Sequence, residues 1–406
     1  MNNKLTTEEL YLDKAANSVI ETNEIKDVNA GMYPCYYLRS DGNLKISTSV
    51  ISLIEESGEF SYNSSFKPPN FIDISSGKES PSTGPFINIV GRFINMLPEE
   101  IQRRVRLKHE LSKEHRRPWY TTWETVDHRI TKLRPFECVT GTEAERGFTP
   151  TFSINTTEKL IKLTAETLSE YIKRIENSYP NRQHIVMAGG KDSLLILLIK
   201  KESPENWHVF SSEPNCSLVE DFLTTNEIQY GNLYQGTDDL QENKEETIMK
   251  IIQSDLYVDP AHIRFINQLS IVKNEIEDDC IFWMGSEGDT FYSWNRDYQL
   301  QGRQGYFDYH MTRSPSFVGS VHQTYKNVLD APILSAYHGY EMWNNIFRHY
   351  DPDLISEGDD LRDEIARQLH GRAVKWPSRN PGPSKYDYDL DIDPYEEYIN
   401  HIAKVV

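Results

Sequence analysis

The sequence predicts an α/β protein: a parallel sheet flanked by helices, preceded by a smaller β-rich domain. Three observations carry that prediction. From residue 156 onward, short apolar runs alternate with amphipathic helical stretches, as right-handed βαβ crossovers require. The first 150 residues instead carry strand and turn patterning. The hydrophobic period changes near residue 155, which divides the chain into 1–155 and 156–406.

Taken in order, Tyr36 to Arg39 and Leu44 to Val50 read as a hairpin around Ser40-Asp41-Gly42-Asn43. Asp-Gly supplies the tight turn, and Leu44, Ile46 and Thr48 share one face. Residues 57–85, rich in Ser, Gly, Pro and Asn, read as a loop, 86–112 as a helical patch, and Trp119 to Phe136 as an extended stretch. Within the patch, Arg103, Arg104, Arg106, Lys108, Lys113, His115, Arg116 and Arg117 are interleaved with Glu110 and Glu114, the pattern of a solvated helix face.

Thr156-Thr157-Glu158 caps a helix whose Leu160, Leu163, Leu168, Tyr171, Ile172 and Ile175 form one apolar face. Strands are then expected at 184–188, 207–211, 229–234 and 279–284. Helices are expected at 193–201, at 217–227 and around 243–275, and the pattern from about 320 to 370 is helical. From Trp376 the chain, with Pro377, Pro381, Pro383 and the acidic run to Asp393, reads as an irregular tail.

Composition narrows the function classes. The 406 residues suffice for two domains with a sizeable core. Sixty-two acidic against 43 basic side chains give a formal charge of -19, which repels a phosphate backbone and makes nucleic acid an unfavourable partner. Cys35, Cys138, Cys216 and Cys280 lie far apart, with neither a CxxC pair nor metal-ligand spacing. The amino terminus lacks a signal-peptide core and no apolar run reaches the roughly 20 residues a membrane span needs. The expectation is a soluble, cytoplasmic protein.

The sharpest motif begins at the buried-type strand His184-Ile185-Val186-Met187-Ala188, which runs into Gly189-Gly190-Lys191-Asp192-Ser193 and then an apolar helix. A glycine pair lets the backbone turn close to an anion, and the new helix aims free N–H groups and its positive dipole end there. Ser193 adds a hydroxyl donor and Lys191 a charge. Asp192 suits Mg²⁺ held against a leaving pyrophosphate. A tight turn without a ligand would use the same glycines. A second apolar strand, Cys280 to Met284, ends in Gly285-Ser286-Glu287-Gly288-Asp289-Thr290, which brings a second Asp to the carboxyl edge of the same sheet. Ser211, closing the strand between them, joins Ala188, Gly189, Gly190, Lys191, Asp192, Ser193 and Gly285 as the candidate nucleotide-binding set.

These two loops resemble those of the asparagine synthetase family. Ala188 to Ser193 is similar to its Ser-Gly-Gly-x-Asp-Ser pyrophosphatase loop, with Ala first, and Met284 to Asp289 to its Gly-Glu-Gly-Ser-Asp-Glu motif, imperfectly kept. The likeness spans roughly residues 30 to 380. It implies an adenine nucleotide alpha-hydrolase (PP-loop) sheet, ATP as cosubstrate, and Mg²⁺ on Asp192 and Asp289. Glutamine-using members carry Cys after Met1, where this chain has Asn2. The hairpin at 31–50 resembles a middle piece of the family's glutaminase domain and reads as a degenerate, scaffolding remnant. The family's general-base position is Ser286 here, with Glu287 one step along. Asp330, before Ala331-Pro332, matches an acidic position of β-lactam synthetases that could act on the amine, or else it caps the helix that follows. Of Lys375, Arg379 and Lys385, Lys385 is the preferred cation for the adenylate.

The resemblance implies an ATP-dependent amide-bond-forming ligase: a carboxylate is adenylated with loss of pyrophosphate, and an amine then displaces AMP. The missing Cys points to an amine within a peptide or small-metabolite substrate, as in β-lactam synthetases and lasso peptide cyclases. Free ammonia as nitrogen source, tRNA thiolation, and a catalytically decayed nucleotide-binding scaffold stand as alternatives. A homodimer or a biosynthetic partner protein is compatible with each.

Overall fold

A computed structural model describes residues 4–63, 125–236, 244–255, 260–276, 279–286, 288, 291, 318–354, 360–377 and 394–406. The helical patch and its basic cluster therefore lie outside the described residues. The chain opens with β1 (Lys4–Thr6) and α1 (Thr7–Asp13). Here the Glu9 N–H donates to Thr6 Oγ1 and the Thr6 N–H donates to the Glu9 carboxylate, a reciprocal cap. Strands β2 (Ile20–Thr22), β3 (Glu24–Lys26), β4 (Tyr36–Ser40) and β5 (Asn43–Ser47) follow, then α2 (Val50–Ser57). After them come β6 (Ile130–Lys132), β7 (Glu137–Thr140) and β8 (Ala144–Arg146).

These strands make two four-stranded sheets, β1-β3-β7-β8 and β2-β5-β4-β6. The expected hairpin is β4–β5, antiparallel with Ser40 opposite Asn43. Its Asp41 and Gly42 both take positive φ, 49° and 83°, the twist a two-residue hairpin turn demands.

The capped helix is α3 (Thr157–Ser178), with Thr156 Oγ1 accepting from the Lys159 N–H. The chain then alternates through β9 (Gln183–Met187), α4 (Lys191–Leu198), β10 (Trp207–Ser212), α5 (Cys216–Thr225) and β11 (Leu233–Gly236). It continues through α6 (Lys244–Gln253), α7 (Pro260–Ile276), β12 (Cys280–Met284), α8 over 318–329 and β13 (Ile333–Ser335). Two helices close the chain, α9 (Asp360–His370) and α10 (Pro394–Val405).

The five later strands form one parallel sheet in the order β11-β10-β9-β12-β13. The first strand is central, and the order reverses between β9 and β12. At such a switch point the connections leave in opposite directions and open a crevice at the carboxyl edge.

Alternation along the strands covers both faces. Val186, Val209, Ile281, Trp283 and Leu334 join the core made with α3, α4 and α5. Ile185, Phe210, Phe282 and Ile333 pack against Ile266, Leu269, Val321 and Tyr325 of α7 and α8.

Two sequence expectations are corrected. The stretch from about 320 to 370 is not helical throughout: β13 lies within it, and three residues are too few to carry a period, so pairing with β12 makes them a strand. The tail is not irregular to its end. Pro394 occupies a first helical position, and Tyr398 and Ile402, one turn apart, bury against α2 and α6.

Candidate functional site

The carboxyl ends of β9, β10 and β12 surround a pocket of about 360 Å³, within the roughly 300–1,000 Å³ range of small-molecule sites. Met187, Phe210, Phe265 and Met284 give it apolar walls; Ala188, Gly189, Gly190, Asp192 and Ser193 line it from the first loop, and Gly285 and Ser286 from the second.

Within the first loop the Gly189 and Gly190 N–H groups both point at one oxygen, Ser193 Oγ, at 3.1 and 3.3 Å. That hydroxyl donates in turn to Gly190 O at 2.9 Å. These two backbone donors at a helix start are satisfied by the Ser193 hydroxyl, and would suit an anionic oxygen that took its place.

The second loop lies directly on the first. A Cβ on Gly285 would sit 2.3 Å from Ser193 N, and one on Gly288 would sit 2.6 Å from Asp192 Cβ and 2.7 Å from Tyr337 Cε2. Only glycine allows that approach. The end of β13 holds the arrangement: Ser335 Oγ donates to Ser286 O at 3.0 Å, and Tyr337 Oη donates to Asp192 O at 2.9 Å. A scan against protein-family models and a search of curated proteins return no match.

Asp192 meets a cation that sequence reading missed. Arg362 Nη2, from α9, lies 2.8 Å from Asp192 Oδ1. Lys191, the expected phosphate-facing charge, turns the other way, with Nζ 5.9 Å from the centre of the Trp376 ring.

Ser211 does not line the pocket; Ser212 does, because successive strand residues face opposite sides. Ser212 Oγ and Asn215 Oδ1 are buried there without a hydrogen-bond partner in the protein, and Asn215 withholds its side chain from the start of α5, where it sits as N-cap. Such groups cost free energy unless a ligand or water completes them. Burial raises the Tyr325 phenol well above its ordinary range, leaving a protonated hydroxyl on the pocket wall. The signal for Ser212, Glu213 and Asn215 was present as polar residues just past a strand. Arg362 had no local signal.

Asp330 does not join the site. It precedes β13 and so lies at the amino edge of the sheet, opposite the pocket, where its Oδ1 accepts the Ala16 N–H at 2.7 Å. Nor does it cap a following helix, since β13 follows; it ends α8 with φ of 47°.

Lys375 stays outside the pocket lining, its backbone paired with the Asn226 side chain at 2.9 and 3.0 Å. Glu287, Asp289, Arg379 and Lys385 lie outside the described residues. Among the described residues no group of three His, Cys, Asp or Glu side chains is placed to hold a metal, and no helix is long and apolar enough to cross a membrane. Magnesium bound mainly through phosphate oxygens needs only one or two carboxylates, which Asp192, lining the pocket with Gly189 and Gly190, fits.

Proposed function

We propose that this chain is an ATP-dependent amide-bond-forming ligase of the asparagine synthetase-like, PP-loop type. The observation that carries the reading is the seating of the second glycine loop on Asp192 and Ser193 at the switch point, beside an apolar pocket of nucleotide-compatible size. Two such loops meeting at one sheet edge suit a triphosphate better than a bare structural turn.

In this reading the Gly189 and Gly190 N–H groups and Ser193 hold phosphate oxygens, and Ser212 and Asn215 complete their hydrogen bonds on the nucleotide. Mg²⁺ would be held by Asp192, with Asp289 as second ligand, and supplies charge neutralisation for the departing pyrophosphate. A substrate carboxylate oxygen attacks the α-phosphorus, forming an acyl-adenylate as the bond to the β-phosphate oxygen breaks. An amine then attacks the acyl carbon, loses a proton and expels AMP. Most of the acceleration comes from positioning and electrostatic preorganisation. Asp330 is too far displaced to serve as the base, and Glu213 and Asp192 are the described carboxylates that line the pocket. The amine in this reading is carried by the substrate, in a peptide or small metabolite. The β-rich residues before 155 act in this reading as a scaffolding domain.

The test is exchange of [³²P]pyrophosphate into ATP across a panel of carboxylates. Substrate-dependent exchange that falls roughly a hundredfold or more in Asp192→Ala supports the ligase. ATP binding with no exchange for any carboxylate would favour the decayed scaffold.

A further inference from the structure

Charged side chains are seldom fully buried unless paired, and Arg362 is 7% exposed. Its neighbours Leu361, Ile365 and Ala366 anchor α9 in the core formed with α3 and α4, so the guanidinium is aimed rather than draped. Its partner Asp192 is itself only 22% exposed and lines the pocket. The one carboxylate on the first loop available to a metal is thus already in contact with a fixed, permanently charged cation.

We infer that Arg362 is a positioning residue that makes metal binding at Asp192 conditional on nucleotide, an inference that rests on the ligase reading above. A bare divalent cation approaching Asp192 meets a guanidinium on the same carboxylate, and at such separations in a partly water-excluded site the repulsion is substantial. A triphosphate reverses the balance. Its negative charges would be attracted by both cations, so metal and nucleotide would enter as one species. Linkage makes the coupling reciprocal: whatever factor nucleotide contributes to metal affinity, metal contributes to nucleotide affinity.

The experiment measures Mn²⁺ affinity by electron paramagnetic resonance on the full chain, alone and with α,β-methylene-ATP, whose bridging carbon blocks pyrophosphate release. Wild type should bind Mn²⁺ weakly alone and at least roughly tenfold more tightly with the analogue. Arg362→Gln, which keeps a donor but no charge, should bind Mn²⁺ alone more tightly and lose most of that coupling. Arg362→Lys should restore it in part. Equal Mn²⁺ affinity with and without analogue in wild type overturns the inference, and that measurement stands even if Arg362→Gln does not fold. Unchanged coupling in a folded Arg362→Gln overturns it as well, while analogue binding lost in Asp192→Asn leaves the ligase reading intact. Failure of wild type to bind the analogue at all overturns both.

Discussion

At the residue scale, the candidate site depends on side chains that are absent. Gly285 and Gly288 permit the second loop to lie on Asp192 and Ser193, and no soft side chain stands at the closest contact: a Cβ on Gly285 meets the Ser193 backbone nitrogen. Gly285→Ala should therefore cost about 1–3 kcal/mol of stability, as overpacking does, and should weaken nucleotide binding by more than its effect on the urea midpoint would suggest. Gly42→Ala is the control. Its φ of 83° strains an alanine, but no atom lies within 4 Å of the new Cβ, so it should cost about 1 kcal/mol and leave nucleotide binding alone. Equal binding losses in the two variants would sink the argument. From the sequence, Gly285 was a nucleotide-binding candidate and Gly288 part of a glycine-rich strand end. The sequence did not foretell what approaches them, because the partner of Gly285 is brought in from the neighbouring strand.

At the element scale, β9 is held by an aromatic stack as well as by its ladder. His184 lies against the Trp207 ring at 4.3 Å and accepts from Trp283 Nε1 at 3.1 Å, which requires a neutral imidazole. Burial lowers its pKa to about 3. With an unfolded value near 6.5, the unfolded chain binds more protons between about pH 3 and 6.5, so stability rises with pH across that window and is lost as pH falls. Between pH 6.5 and pH 5 this residue alone should remove about 2 kcal/mol. His322, lowered to about 4 by burial, adds its own share, so the diagnostic quantity is a difference. The gap between urea-derived stabilities at pH 7 and pH 5 should narrow by about 2 kcal/mol in His184→Gln. An unchanged gap would show that His184 is not the acid-sensitive group.

At the scale of the whole molecule, one buried carboxylate ties distant segments together. Asp255, at the end of α6, accepts from the Val50 N–H at 3.1 Å, from Gln323 Nε2 at 2.8 Å and from Tyr398 Oη at 3.0 Å. Those donors belong to α2, α8 and α10. Nearby, Thr48 and Asn327 exchange hydrogen bonds at 2.6 and 3.1 Å, and Asn29 Nδ2 donates to His338 O at 2.7 Å. The β-rich segment is thereby fastened to the helices beneath the parallel sheet. Asp255→Ala strands three buried donors and should cost about 3 kcal/mol or more. A single urea transition in wild type should broaden or split in the variant as the two parts uncouple. A loss under about 1 kcal/mol would mean that apolar packing among Ile54, Ile251 and Ile402 holds the segments without it.

What the sequence determined by itself was local. The helix from Thr157, the Asp-Gly hairpin, strands β9, β10 and β12 and the loop from Gly189 to Ser193 all follow from period, capping and turn chemistry within a few residues of each position. The tertiary structure decided the strand order, and with it the meeting of the two glycine loops at the β9–β12 switch point. It made a strand of Ile333-Leu334-Ser335, which has no period of its own. It moved Asp330 to the far edge of the sheet, turned Lys191 onto Trp376, and supplied Arg362 as the cation at Asp192. Each of those outcomes depends on which surfaces bury against one another across long stretches of chain, and no local pattern of residue types records that choice.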